Sequence, residues 1–201
     1  MKISFLAMLF GLTFCSFSVW ANSPLGTGFH DNASVNMVDT RCNMSLGAQT
    51  IDYGSKTRWE LKSSSNTPSS LTPGKRTLML SVICPYSQPI QFFLSGAGTA
   101  EGQLRYGDKG SLRLTIRDAK VDNNSVQLAI SAQNGIITGQ PQPLLMLKSD
   151  SGFSPTENGQ AIKGKVFNAM LDIEPEIKEY DTKVTSPQIN ETSFTVTLVN
   201  L

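Results

Sequence analysis

The sequence has few of the residues that most enzymes use in their active sites. It contains one histidine, His30, and three cysteines among 201 residues. No Ser/His/Asp spacing, glycine-rich phosphate loop or metal-ligand cluster appears in it. We therefore expect a protein that is not an enzyme and that uses neither a metal nor a cofactor.

An excess of charge of either sign is also missing. The chain carries 17 Lys and Arg against 16 Asp and Glu, and the two signs are mixed along its length. Proteins that bind nucleic acids or acidic membranes usually present a strong positive field. The charge pattern therefore gives no reason to expect a nucleic-acid partner.

Long apolar runs are absent except at the N-terminus. Lys2 precedes an apolar run over residues 3–17, which is too short to span a bilayer with ease. Val19-Trp20-Ala21 then has the pattern of a secretory cleavage site. We predict that residues 1–21 are a signal peptide, that the protein is exported, and that the mature chain does not insert into a membrane. An N-terminal anchor is the alternative.

Two cysteines, Cys42 and Cys84, remain once Cys15 has left with the signal. An even number of cysteines in an exported protein favours a disulfide over a metal site. Cys84 ends an alternating run in which Leu80 and Val82 share its face, the pattern of a strand that buries one side. A disulfide that closes a loop of this length should stabilise the fold by about 4 kcal/mol.

Helical periodicity with caps at both ends is missing, and prolines and glycines separate short alternating runs. These runs predict strands that include 112–117, 126–130, 165–173 and 194–201, with Pro175 ending the third. Residues 62–74 and 149–160 are predicted to be loops, the first because it is rich in Ser, Thr, Asn and Pro. Short strands and one disulfide predict an all-β fold, an immunoglobulin-like β-sandwich.

Two sets of charged residues are predicted to face solvent. Arg113 and Arg117 project from the face opposite the leucines of their strand. Asp172, Glu174 and Glu176 lie at a strand end, and we interpret them as a solvated turn rather than a catalytic carboxylate pair.

Within the N-terminal segment 22–41, residues 25–37 alternate between apolar and small or polar residues. Its odd positions carry mainly apolar side chains, which predicts an extended strand with one apolar face, interrupted at Asp31. In the alternative, residues 33–38 are the first strand of the body and residues 23–32 a leader.

The order of these features resembles fimbrial subunits of the bacterial chaperone/usher pathway, and more narrowly the uncharacterised β-fimbria-type proteins. The resemblance lies in the alternating arm before Cys42, Leu71-Thr72-Pro73 ahead of the strand that ends at Cys84, and the tail from Ile173-Glu174-Pro175 to Leu201. It covers residues 33–201.

This resemblance implies a pilin-type sandwich over residues 42–201 that lacks its last strand and is completed by a donor strand. Residues 22–41 would be the N-terminal extension. The protein would be a structural subunit of a fimbria, minor, adaptor or adhesin-like. Its partners would be a periplasmic chaperone, an outer-membrane usher and neighbouring subunits, and it would pass through the periplasm to the fimbrium at the cell surface.

The resemblance also implies roles for individual residues. The terminal carboxylate of Leu201 would be the chaperone anchor. Asn200 and Gln188 stand where pilins usually have an aromatic residue and a glycine, which leaves open a minor or adaptor subunit, or a chain that covers its own groove. The donor-strand residues would be Leu25, Phe29, Ala33, Val35 and Met37, and the groove-edge strand would contain Phe194, Val196 and Leu198.

The alternative function comes from a different class of protein. A self-complemented periplasmic or secreted β-sandwich could be a free-standing binding module, and a carbohydrate is one ligand for such a module. Trp59 and Tyr106 are then the candidate stacking residues, although Trp59 could equally belong to the core.

Overall fold

The structure of the protein is a computed structural model, and it describes residues 41–65 and 67–199. The predicted signal peptide, the five donor-strand residues and Leu201 lie outside the described residues. Within the described part the chain is nearly all β and forms two antiparallel sheets, which confirms the predicted all-β sandwich. The helices described there are two short 3-10 helices, and neither is long and apolar enough to cross a membrane.

The 3-10 helices are Arg58–Glu60 and Glu179–Thr182. The described strands are, in chain order, β1 (Asn43–Leu46), β2 (Lys62–Ser63), β3 (Ser70–Thr72), β4 (Arg76–Pro89), β5 (Phe92–Gly96), β6 (Leu104–Tyr106), β7 (Gly110–Val121), β8 (Asn124–Ser125), β9 (Gln127–Ser131), β10 (Leu144–Leu147), β11 (Ser151–Glu157), β12 (Gln160–Ala161), β13 (Lys163–Lys178) and β14 (Phe194–Leu198).

The first sheet is built on the neighbours β1, β4, β13 and β7. Strands β6, β8 and β10 pair with β7, while β3 pairs with the end of β13 and carries β2 beside it. The second sheet runs β14, β5, β11 and β9, with β12 completing a hairpin with β11. The chain changes sheet repeatedly, first between β4 and β5 and last between β13 and β14.

Apolar side chains from both sheets meet in one core. The ring of Phe92 on β5 lies 4.8 Å from the ring of Phe153 on β11 and 4.9 Å from that of Phe167 on β13, measured between centroids. All three side chains are fully buried. A disulfide joins Cys42 to Cys84, as predicted, and thus ties the residue before β1 to the middle of β4.

Pro175 does not end its strand, contrary to the prediction. Strand β13 continues to Lys178, and Pro175 pairs in register with Leu112 of β7. On the other side of β13, pairing with β4 stops at Ile173 and pairing with β3 begins at Ile177. Proline cannot donate a ladder hydrogen bond, and it is tolerated here because the neighbouring strand is interrupted at this position.

Both predicted loops contain strands. Residues 149–160 include β11, whose Phe153 is a central core residue and whose Ser154 and Thr156 are also buried. Residues 62–74 include β2 and β3, and Ser64, which follows β2, is buried as well. The two segments look like loops in the sequence because, apart from Phe153 and Pro155, their buried side chains carry hydroxyl groups, which satisfy their hydrogen bonds inside the protein.

Candidate functional site

The C-terminal strand β14 alternates strictly between inward and outward side chains. Phe194, Val196 and Leu198 are half-buried against the core, while Thr195 and Thr197 are exposed. β-branched residues at every second position favour such a half-buried pleated strand. The predicted groove-edge residues therefore share one face of the strand.

Strand β14 has a partner on one side only within the described part of the chain. It pairs with β5 from Phe194 opposite Gly96 to Leu198 opposite Phe92, and Val199 extends this side by donating to the carbonyl of Gln91 (2.8 Å). No strand of residues 41–65 and 67–199 pairs with its other edge. Every second residue of β14 thus directs its backbone N–H and C=O groups toward an open edge.

The opposite end of the same sheet is covered. Residues 136–142 run along the outer edge of β9, where Leu128 exchanges hydrogen bonds with Gln142 (2.8 Å each way) and Thr138 donates to Ile130 (2.9 Å). β9 also contacts β7 and β10 of the first sheet, so this side of the sandwich is closed by its own chain. The outer edge of β9 is therefore covered, whereas the outer edge of β14 is not covered by any described strand.

The first sheet ends in β1, which pairs with β4 on one side only within the described residues. β1 carries apolar side chains that are half-buried against the same core as those of β14. We call the outer edge of β14 with its inward face the open side and define it by Phe194, Val196 and Leu198.

A glycine sets how closely β14 approaches the sheet. A Cβ atom on Gly96 would lie 2.7 Å from Cδ2 of Leu104 and 3.2 Å from Cβ of Phe194. A larger residue would therefore have to shift the Leu104 side chain and would press against the beginning of β14. An open cleft adjoins this point, and Arg105 and Glu191 line it together with Phe194.

The charged residues that the sequence predicted to be solvated form a polar cluster on the outer face of the first sheet. Asp172, Glu174 and Glu176 alternate along β13 and are buried. The segment around β2 and β3 contacts Glu174 and Glu176, whereas Thr77 of β4 and Arg117 of β7 contact Asp172. Arg113 donates from Nε to Oε1 of Glu176 (2.9 Å) and from Nη2 to Oε2 (3.1 Å). Arg117 donates from Nε to Oδ2 of Asp172 (2.9 Å). The prediction that the three acidic residues are solvated was wrong. The two arginines do project from the face opposite the leucines, but Arg113 is largely covered, while the side chain of Arg117 is still 33% exposed.

The hydrogen bonds of this cluster indicate a structural role. Ser64 donates to Oε1 of Glu176 (2.6 Å), and Ser65 donates to Oε2 of Glu174 (3.0 Å). Burial alone would raise the pKa of Asp172, but hydrogen bonds from Arg117 and Thr77 outweigh it and hold the pKa below its ordinary value. Each carboxylate thus has fixed donors, and the cluster ties the β2–β3 segment to β13.

The structure separates the two predicted stacking residues by their environment. Tyr106 on β6 is half-buried against the core, and burial raises the pKa of its hydroxyl. Trp59 is 87% exposed and therefore does not belong to the core. Within the described residues no group of three or more His, Cys, Asp or Glu side chains is arranged to hold a metal ion.

Comparison with known proteins gives no relative: no protein-family model and no curated protein matches this chain.

Proposed function

We propose that this protein is a structural subunit of a chaperone/usher-assembled fimbria, of the minor, adaptor or adhesin-like kind, and that it assembles by donor-strand exchange. The observation that carries the proposal is the outer edge of β14, which no strand of residues 41–65 and 67–199 covers, beside the half-buried side chains of Phe194, Val196 and Leu198. The sequence resemblance singled out these three residues, and their shared inward face supports the role that the resemblance gives them.

The physical argument concerns the state of a subunit on its own. An open strand edge beside partly exposed apolar side chains is a template for pairing with other chains, and it favours aggregation. A partner strand laid along β14 satisfies the backbone groups and covers the apolar side chains at once. In the proposed sequence of events, a periplasmic chaperone supplies this strand first, with Leu201 as its anchor, and a neighbouring subunit supplies it in the fibre.

The proposed donor is the N-terminal arm of another copy or of a related subunit. Its apolar positions, Leu25, Phe29, Ala33, Val35 and Met37, fall two or four residues apart and would face the same side of an extended strand. Removal of residues 1–21 would leave this arm at the start of the exported chain, before the body at 42–201. Passage through the usher to the cell surface follows from the same proposal.

A peptide of residues 22–38 tests the donor arm on a chain that begins at Asp39. At a hundredfold excess over its Kd, a ligand that binds only the folded state stabilises it by about 2.7 kcal/mol. For a domain of this size that corresponds to a rise in Tm of about 5 to 11 °C. A peptide with Val35→Asp should lose most of this effect, whereas Ser34→Asp, on the other face of the arm, should keep it.

The groove is tested by the matched pair Val196→Asp and Thr197→Asp in the same strand. The first places a charge among the half-buried side chains and should abolish the response to the peptide, while the second changes an exposed position and should preserve it. No change in Tm at saturating peptide would refute the donor arm. A full-length exported chain that stays monomeric at all concentrations and ignores added peptide would instead identify the self-complemented binding module.

A further inference from the structure

Two aromatic side chains stand in solvent at the 3-10 helices. Trp59 in the first 3-10 helix is 87% exposed, and Tyr180 in the second is 66% exposed. Arg58 and Glu179, their neighbours in the chain, bind each other through Nη2 and Oε1 at 2.8 Å. We call these four residues, Arg58, Trp59, Glu179 and Tyr180, the aromatic platform.

The aromatic platform is held in place by polar contacts. The backbone N–H and the hydroxyl of Thr57 both donate to Oε2 of Glu60 (2.7 Å each), which closes the turn that carries Trp59. Arg58 also donates from Nε to the hydroxyl of Thr182 (3.1 Å), so its guanidinium spans to the second 3-10 helix. The indole is therefore presented outward by an anchored turn rather than by a loose loop.

The surroundings of Trp59 are polar rather than apolar. The guanidinium carbon of Arg58 lies 5.3 Å from the ring centroid, in a cation–π arrangement. The carboxylate side chain of Glu179 is 55% exposed, and Asp181 pairs with Lys109 at 3.3 Å. Protein–protein interfaces are enriched in Trp, Tyr and Arg, but they are depleted of acidic residues and lysine. An exposed ring among hydrogen-bonding charges instead suits a small polar ligand that has one apolar face.

We propose that the aromatic platform binds a pyranose sugar. The electron-rich face of an indole attracts the C–H face of a sugar ring, which carries partial positive charge. Glu179 then accepts hydrogen bonds from sugar hydroxyls, and Arg58 and the Tyr180 hydroxyl donate to sugar oxygens. Because the turn is already anchored, little ordering is needed on binding. The proposal uses none of the residues of the open side and does not depend on fimbrial assembly.

The experiment uses the exported protein and the methyl glycosides of glucose, galactose, mannose and N-acetylglucosamine. The chain has two tryptophans, and Trp20 lies in the predicted signal, so the fluorescence of the exported protein reports on Trp59 alone. We expect a saturable change in emission for at least one sugar, with a Kd on the order of 1 mM for a ligand of this size.

Variants assign the response to the platform. Because Trp59→Ala removes the fluorophore, ligand-observed saturation-transfer NMR measures its binding, and we expect a loss of at least about tenfold in affinity. Tyr180→Ala, followed by fluorescence, should weaken binding as well. Ile189→Ala removes an equally exposed apolar side chain outside the platform and should leave the affinity unchanged. Circular dichroism establishes that each variant is folded.

Three results would overturn the proposal. One is the absence of a saturable response to all four sugars. Another is full affinity in the folded Trp59→Ala variant. The third is an emission shift that depends on protein concentration without sugar, because it would show that a second copy of the chain covers Trp59.

Discussion

Replacing Arg113 with methionine should destabilise the domain severely. Arg113 is the cation that faces Glu176, and the side chains of the two are 15% and 4% exposed. Two hydrogen bonds of 2.9 and 3.1 Å join them in a side-on, bidentate arrangement. Arg113→Met keeps most of the side-chain volume but leaves a buried carboxylate without its cation.

The magnitude follows from the burial of that carboxylate. An exposed ion pair contributes at most about 1 kcal/mol, because water screens both charges. Removing one member of a buried pair costs about 3 to 5 kcal/mol, because the other charge is left uncompensated. Glu176 is nearly inaccessible, so we expect a loss within that range. Lys120→Met on the exposed face of the same strand should change stability by no more than about 0.5 kcal/mol.

Urea unfolding of the oxidised protein, followed by circular dichroism, measures these changes. The double variant Arg113→Met/Glu176→Gln identifies their cause, because a neutral amide needs no counter-charge and its oxygen still accepts from Ser64. We expect the double variant to recover more than half of the loss. If Arg113→Met costs less than about 1 kcal/mol, the pair is not a buried one in solution. If the double variant is as unstable as the single one, an uncompensated charge is not the cause.

Two further predictions concern stability. Asp172→Asn should remove a pH-dependent contribution to stability. A folded-state pKa below the ordinary value stabilises the protein above the unfolded-state pKa of about 3.9, and this stabilisation is lost as the pH falls. In urea titrations from pH 7 to 3, the unfolding free energies of the two proteins should converge on acidification, and a difference that widens there would contradict the reasoning. Replacing Cys42 and Cys84 together with alanine should cost about 4 kcal/mol in the same assay, and a loss below about 1 kcal/mol would show that the disulfide constrains the unfolded chain little.

Local alternation in the sequence predicted much of the fold. Leu80, Val82 and Cys84 lie on one face of β4, and Leu112, Leu114 and Ile116 on one face of β7, as their period of two requires. The disulfide followed from the cysteine count and the expected compartment. The inward face of β14 was also predictable, because Phe194, Val196 and Leu198 alternate with threonines. Each of these features depends on residues close together in the chain.

The strands with polar interiors were not predictable in the same way. Ser154 and Thr156 are buried in β11, but the sequence gives no sign of it because their partners lie elsewhere in the chain. The hydroxyl of Ser154 lies within hydrogen-bond distance of Ser131 at 3.4 Å, and that of Thr156 donates to the carbonyl of Gln127 at 3.3 Å. The sequence does not distinguish a buried Ser or Thr from an exposed one, because the difference lies in the hydrogen-bond partner.

The sequence by itself determined which side chains share a face, and through them the all-β class and the apolar face of the last strand. Its cysteine count led to the disulfide. The tertiary structure alone decided whether each face meets solvent, core or another segment. Arg113 and Glu176 were predicted to be solvated and are paired beneath the β2–β3 segment. β14 was predicted to be a strand, but only the order of strands in the second sheet places it at an open edge. The physical reason is that alternation is a local property of the backbone, whereas burial and edge position depend on strand pairing between residues far apart in the chain.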